Sequence, residues 1–473
     1  MKSHAPTGTW TDANIPAWRR VILLALPVFF QQMLILIINL SDRWLAGRMG
    51  PDDQEAQIAT QAAQTTGFYL GWFVSCYAAL VSVGSTALVA RFVGAGEREA
   101  ARRVLHQSIW LAALLGIVGS AVCWNYLSDL IAWLGLEGQT ASFASEYLRP
   151  MTLLLTFQLI EGAIIACLIG AGDTRTGFYV LLGLTIVNLP LAWSFYHGWW
   201  FFPKLGFAGI SLGTSIGHLL GALFLVGLLF WGRAGLQWRL MHLAPDLRMG
   251  YRILRIGIPV AADTLSIAAG QLVFLKLVNR LSPAEVGAHG IALGWEALGY
   301  LSGYAFGTAA MTLVGQNLGA KQPLEARRCG WVALAMGASV MSAMGLVFFV
   351  LAEPMFRLFC PSDVQRPIIE AGVPVLRLIA FAMPPLASCI VLTQALRGAG
   401  DTLVPVLITL FGFFAVRIPL AIWLMTHALA LPWTGEIELG LMGAWLAMCA
   451  DLLVRGCLVT ARFHFGNWAK IKI

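Results

Sequence analysis

Charge is what this 473-residue chain has least of. Asp, Glu, Lys and Arg together make up 12% of it, against 58% hydrophobic residues and a mean hydropathy of +0.75. A soluble domain carries about 25% charged residues. So few charges cannot cover a water-facing surface, which excludes a soluble fold and makes the bilayer the expected solvent. Cysteine is also sparse: eight residues (76, 123, 167, 329, 360, 389, 449, 457) are scattered, mostly in apolar runs, without CxxC or Cys/His spacing. That argues against a disulfide framework or a zinc site and leaves small buried apolar side chains. His218, His427 and His464 likewise lack metal-ligand spacing. No Ser/His/Asp or paired-carboxylate arrangement stands out, and no ATP-binding module. No enzyme is expected, no cofactor is implied, and active transport would have to draw on an ion gradient. Met1 to Pro16 is polar and the apolar run from Val21 is too long for an h-region, so no cleavable leader is expected.

What the chain does have is long apolar runs, and it has them twice. Gly170-Ala171-Gly172-Asp173-Thr174 returns as Gly398-Ala399-Gly400-Asp401-Thr402. Val89 to Arg103 returns as Val314 to Arg328, Leu26-Pro27-Val28 answers Ile258-Pro259-Val260, Pro190 answers Pro419, and Gly206 and Gly209 answer Gly440 and Gly443. Matches in one order, with offsets that drift as loop lengths drift, mean a duplicated half. In a very apolar chain this is the signature of a two-lobed transporter.

Twelve helices of membrane-crossing length are predicted, at about 20–46, 63–90, 104–126, 146–169, 175–197, 207–231, 252–279, 288–315, 329–352, 372–396, 403–427 and 439–462. The predicted fold is an all-α membrane protein of two pseudo-symmetric six-helix bundles. Helices 1–6 form an N-lobe (1–231), residues 232–251 a cytoplasmic linker, and helices 7–12 a C-lobe (252–473). With both termini cytoplasmic, roughly 20 Lys and Arg fall inside and 9 outside, a positive-inside bias. Six spans per half make the repeat parallel. The net charge of +7 is then read as basic loops beside anionic lipid, with no nucleic-acid partner. Leu236, Trp238, Leu240 and Met241 in the linker are expected to lie along the membrane surface. Trp199, Trp200, Phe201 and Phe202 read as an aromatic belt at an outer helix end.

The Gly-Ala-Gly-Asp-Thr cassettes are expected to be tight turns, with Asp173 and Asp401 capping the helices that follow. The Arg pairs 102/103 and 327/328 are expected to begin helices 3 and 9, anchored by lipid phosphate against the helix dipole.

Polar groups at bilayer depth are expensive and become functional candidates by default. Asp42 follows an apolar run on helix 1 broken only by Asn39 and Ser41. It is read either as an interfacial acid paired with Arg43 or Arg48, or as a proton or cation site. Asn188 precedes Pro190, which leaves a carbonyl without its donor one turn earlier. Thr214 on helix 6 can add a hydroxyl or simply pack beside Gly213 and Gly217. Asp263, Glu161, Glu296, Asn39 and Gln31 are secondary candidates for coupling or substrate, and Glu161 and Glu296 also suit interhelical hydrogen bonding. Asp263 has a rival reading as a salt-bridge partner near the cytoplasmic entrance. Pro27, Pro190 and Pro259 are candidate hinges. Arg417, and Asp451 with Arg455 one turn later, read as internal ion pairs.

Leu24 to Gly50 (LALPVFFQQMLILIINLSDRWLAGRMG), Gly84 to Arg103, the two Gly-Asp-Thr turns and Glu296 to Ala320 (EALGYLSGYAFGTAAMTLVGQNLGA) together resemble the multidrug and toxic compound extrusion (MATE) transporters of bacterial type, over nearly the whole chain. The resemblance implies a two-lobed, multi-pass exporter of the inner membrane with a V-shaped central cavity. It would expel amphipathic, cationic drugs or metabolites in exchange for protons or sodium, and a monomer is expected. In the family the helix 1 acid is central to coupling, and Asp42 takes that position, with Asn188 and Thr214 matching an Asn and a Thr of the first-lobe site. The family's helix 5 acid would fall at Ala192, its helix 10 acid is missing from Ala380 to Leu396, and Asp263 only approximates its helix 7 Glu. Two carboxylates hold sodium better than one. A single acid works by desolvation, taking a proton as its site closes. Proton coupling is therefore favoured, with sodium at Asp42, Asn188 and Thr214 as the alternative. The rival function is a lipid-linked precursor flippase of the same superfamily. Such flippases carry extra helices and intramembrane basic residues, of which this chain has few.

Overall fold

The computed structural model describes residues 10–12, 14–46, 54–133, 136–238, 244–427, 429–431, 435–437 and 439–471. Among these, twelve long helices follow one another. They are α1 (Ala17–Ala46), α2 (Gln54–Gly94), α3 (Arg98–Trp133), α4 (Gly138–Gly170), α5 (Thr174–His197), α6 (Phe207–Trp231), α7 (Leu247–Val278), α8 (Pro283–Gly319), α9 (Pro323–Arg357), α10 (Arg366–Ala399), α11 (Leu403–Thr426) and α12 (Gly440–Phe465). Eleven are long and apolar enough to cross a membrane. The twelfth, α8, has the length, but glycine, Ser302, Glu296 and His289 dilute its apolar residues. A short antiparallel pair, β1 (Leu429–Leu431) and β2 (Gly435–Ile437), precedes α12, with Leu429 opposite Ile437. Inside α11, residues Phe411–Arg417 widen into a π-helical turn.

The repeat in the sequence is a repeat of turns. Gly172 and Gly400 have φ of 91° and 89°, and Gly206 and Gly440 of 57° and 44°. Gly96 (76°) is answered by Lys321 (60°), which holds the same left-handed backbone without being glycine. The first glycine of each Gly-Ala-Gly-Asp-Thr cassette is needed for packing. A Cβ on Gly170 would stand 2.6 Å from the carbonyl oxygen of Thr86 on α2, and one on Gly398 would strike the Met311 carbonyl on α8. Small residues let these helix backbones approach.

The two cassettes then differ. Asp173 is the N-cap of α5 and accepts from the Thr176 amide at 3.0 Å. Asp401 caps nothing: Thr402 is the N-cap of α11, and the Asp401 carboxylate accepts from Arg462 Nε at 2.8 Å. The Arg pairs also fall a turn later than expected. α3 begins at Arg98 and α9 at Pro323, with Glu99 and Glu325 in the first turns, where the helix dipole favours an acid. Arg102 and Arg328 bond these acids from the second turn.

Two compact units are present. The first holds Leu26–Ala261 together with Trp10 and Thr11, and the second holds Asp12–Ala25 and Ala262–Ile473. A division at the linker would separate α1–α6 from α7–α12. Packing differs from that in one respect: the first turns of α1 belong to the second unit, and α7 up to Ala261 belongs to the first. In the second unit Arg20, 1% exposed, bonds Glu325 at 2.8 Å. In the first, Gly84 and Gly257 lie directly against the backbones of Ile253 and Leu80. The boundaries fall beside Pro27 and Pro259, and both helices run through their prolines.

Within the first unit, Tyr147, Leu127, Ile131, Ala192 and Phe207 form one core cluster. In the second, Phe274, Phe348, Phe356, Met383 and Trp445 do so. Leu236 is buried and Trp238 packs edge-on to His106 (5.3 Å between rings), so both linker residues turn onto the first unit rather than outward. Leu240 and Met241 lie outside the described residues.

Candidate functional site

Three elements of the first unit converge on Asp42. It sits in the last turns of α1, with 5% of its surface exposed. Asn188, fully buried in the middle of α5, donates from Nδ2 to Thr214 Oγ1 of α6 at 2.7 Å. The Thr214 hydroxyl lies 3.4 Å from Asp42 Oδ2 and the same distance from its own Ile210 carbonyl, long for either bond. The three residues expected to form the site are thus brought together. Arg43's side chain and Arg48, the interfacial partners considered for Asp42, lie outside the described residues.

Two acceptors in this cluster lack partners. Asn188 donates one N–H to the Thr214 hydroxyl, and that hydroxyl has one hydrogen to donate. Asp42 Oδ1 and Asn188 Oδ1 are left buried without a hydrogen bond among the described residues. Buried acceptors without partners are costly. An added proton turns one surplus acceptor into a donor, and a bound cation serves both oxygens. No group of three or more His, Cys, Asp or Glu placed to hold a metal occurs among the described residues. Pro190, two residues on, gives no amide to the carbonyl of Ile186.

Ala192 is fully buried, and a Cβ on Gly213 of α6 would stand 2.7 Å from the Ala192 amide nitrogen. Helices α5 and α6 touch there, with the Ala192 methyl group buried in the contact.

The secondary candidates make no bond to Asp42, Asn188 or Thr214 among the described residues. Gln31 is buried against Gly177 of α5, eleven residues before Asp42, about 16 Å along α1. Asn39 is exposed. Glu161 on α4 bonds His218 of α6, Nδ1 to Oε2 at 2.7 Å. Spacing alone gave His218 no role; its place four residues after Thr214 on the same helix face was the available signal. In the second unit Asp263 forms an ion pair with Arg397 of α10. Asp451 accepts from Arg417 (2.7 Å) and Arg455 (2.7 Å), and the Phe413 ring lies 4.2 Å from the Arg417 guanidinium. Glu296 feels the charge of both arginines.

Residues 27–194 and 259–423 match the MatE family. The chain belongs to the MatE family. A probable multidrug resistance protein NorM of Thermotoga maritima is 29% identical over 466 residues, 97% of this chain and 94% of the relative. Multidrug resistance protein PmpM of Pseudomonas aeruginosa is 25% identical, over 92% of this chain and 91% of its own. Among solved structures, the outward-facing conformation of a multidrug resistance MATE family transporter superposes with a TM-score of 0.85 at 19% identity, covering 96% of this chain and 97% of that one. This MATE chain is therefore a multi-pass membrane transporter and not an enzyme.

Proposed function

We propose that this MATE transporter is a secondary antiporter that exports amphipathic, cationic drugs or metabolites in exchange for protons, with Asp42 as the coupling acid. The observation that carries the reading is the pair of buried oxygens, Asp42 Oδ1 and Asn188 Oδ1, without a donor among the described residues. Ionised, the site holds a negative charge with no cationic side chain bonded to it among the described residues, and favours a cation. Protonated, it gains a donor and loses its attraction for positive charge. One acid cannot serve both cargoes at once, which is the requirement for exchange. The names of the NorM and PmpM relatives support drugs as cargo. No second carboxylate joins Asp42 among the described residues, which favours the proton, since hard cations are held by several charged oxygens. Asn188 and Thr214 orient Asp42, and Pro27 and Pro259, beside the unit boundaries, are the hinges of the transport cycle. The chain works as a monomer in the inner membrane with both termini cytoplasmic.

The test is efflux of a fluorescent cation from reconstituted vesicles, with pH and sodium gradients imposed separately. A pH gradient, acidic outside, should drive export and a sodium gradient should not. Asp42→Asn should insert and melt like the wild type, and its gradient-driven exchange should fall to background. Wild-type exchange in that variant would remove Asp42 from the mechanism, and export driven by sodium alone would replace the proton.

A further inference from the structure

Helix α6 carries a second polar pair next to the Asp42 cluster. Thr214 and His218 are four residues apart and share one helix face. Thr214 faces Asp42 and Asn188, while His218 Nδ1 meets Glu161 Oε2 of α4 at 2.7 Å. The Glu161 side chain is 4% exposed, and His218 is the one basic group paired with it among the described residues. Gly221, the next residue but two on α6, lies against the carboxylate: a Cβ there would stand 3.1 Å from it. A carboxylate this deep in an apolar unit needs a reason.

Depth supplies one. Arg233 at the end of α6 bonds Asp173 at the start of α5 (2.7 Å), so α4, α5 and α6 share one end at the Gly-Ala-Gly-Asp-Thr turn. Measured from that end at ~1.5 Å per residue, Thr214 is about 26 Å in, His218 about 20 Å and Glu161 about 14 Å. By the same measure Asn188 is about 21 Å in, so His218 stands level with the lower edge of the Asp42 cluster and Glu161 about 6 Å nearer the basic turns. Among the described residues, the other titratable groups on the packed helices are occupied or distant. The Tyr77 hydroxyl of α2 donates to the Leu115 carbonyl, and Cys167 of α4 sits with Ser85 and Ser108. Tyr196 and His197 pack edge to face at the far end of α5, and Tyr179 is exposed. Arg91 and His106 stand close to the α2–α3 turn, and Cys76 and Cys123 are thiols near Tyr77.

We propose that the His218–Glu161 pair is a proton station inside the first unit, passing protons between the Asp42 cluster and the side of the basic turns. It rests on the reading of Asp42 as a proton-coupling acid. The step is one proton in and one out. A proton arriving at His218 Nε2 forms an N–H bond there as the Nδ1–H bond breaks and its proton moves to Glu161 Oε2. The imidazole is left neutral with its proton on Nε2, and Glu161 releases the transferred proton toward the turns. The ring then returns to its first tautomer.

His218→Gln keeps an N–H donor for Glu161 but cannot relay a proton, and Glu161→Gln keeps the shape without the charge. Both variants are reconstituted in vesicles and compared with the wild type for binding of a fluorescent cation, melting temperature and exchange driven by a pH gradient. Binding and melting should match the wild type, while proton-driven exchange falls tenfold or more and loses its dependence on the pH of the basic-turn side. The double variant should be no slower than either single one. Wild-type rate and pH profile in His218→Gln, with Asp42→Asn inactive, overturns the station and leaves the Asp42 reading standing. Exchange retained in Asp42→Asn removes that reading instead. Should His218→Gln lower the melting temperature, the Gln–Gln double variant decides: restored stability with wild-type exchange makes the pair structural and overturns the proposal.

Discussion

Position 192 shows how a single residue fixes the chemistry of the site. The family resemblance calls for a second acid there, and Ala192 is fully buried where α5 and α6 touch at Gly213. Ala192→Asp is therefore expected to lower the melting temperature rather than create a two-carboxylate sodium site. An unpaired buried carboxylate costs several kcal/mol. Thermal melting in detergent, with and without sodium, checks this. Wild-type stability together with a new sodium response would show that the contact is looser than its geometry. Asp42, Asn188 and Thr214 were legible in the sequence because polar side chains stand out in apolar runs. The partners of Glu161 and Asp263 were not, because the rotation of one helix against another decides who meets whom, and no spacing within one helix records it. His218 and Arg397 emerge only from packing.

Elements carry their own devices, and α8 has the clearest. Ser282 is its N-cap, Pro283 its first residue and Glu285 the return arm of a capping box. Glu285 also accepts from the Leu441 amide at the start of α12 at 2.9 Å, so one carboxylate fixes the first turns of two helices. Partial burial pushes its pKa up, but the bonds from Ser282 and Leu441 outweigh it and hold the carboxyl below the ordinary 4.5. A folded-state value below the unfolded one means that the unfolded chain binds the proton more readily. The stabilisation is fully present above about pH 4.5 and is lost as pH falls through the lower folded value. The melting temperature of Glu285→Gln should accordingly depend less on pH below 4.5 than that of the wild type, the two curves converging in acid. Parallel curves would mean that another carboxylate carries the acid sensitivity. Ser282→Ala should cost about 1 kcal/mol at neutral pH. Ser-Pro-Ala-Glu spells the capping box, although helix 8 was expected to begin only at residue 288, and its hold on α12 is invisible along the chain, since 156 residues separate Glu285 from Leu441.

At the scale of the molecule, the duplication was visible as matching turns, and the exchange of helix ends was not. Hydrophobic periodicity tells which residues are buried and is silent on which unit buries them. Arg20 reads in sequence as one more basic residue before a span, yet it is buried in the second unit on Glu325. Ile253 reads as the start of the second half, yet its backbone lies against Gly84 of the first unit. Each half thus supplies the other's unit with the first turns of a helix. A half produced alone lacks a packed segment and exposes the contact that should receive it: the Glu325 carboxylate loses its buried arginine in one case, and the glycine faces of α2 lose α7 in the other. Residues 1–245 and 246–473 expressed separately are therefore expected to be degraded or to aggregate in the membrane. Expressed together as two chains, they should copurify one to one and recover most drug exchange. The measurement is the yield and stoichiometry of a tagged half with and without its untagged complement. A tagged half that accumulates and melts cooperatively on its own would mean that the exchanged ends of α1 and α7 contribute little, and that each six-helix half is complete without them.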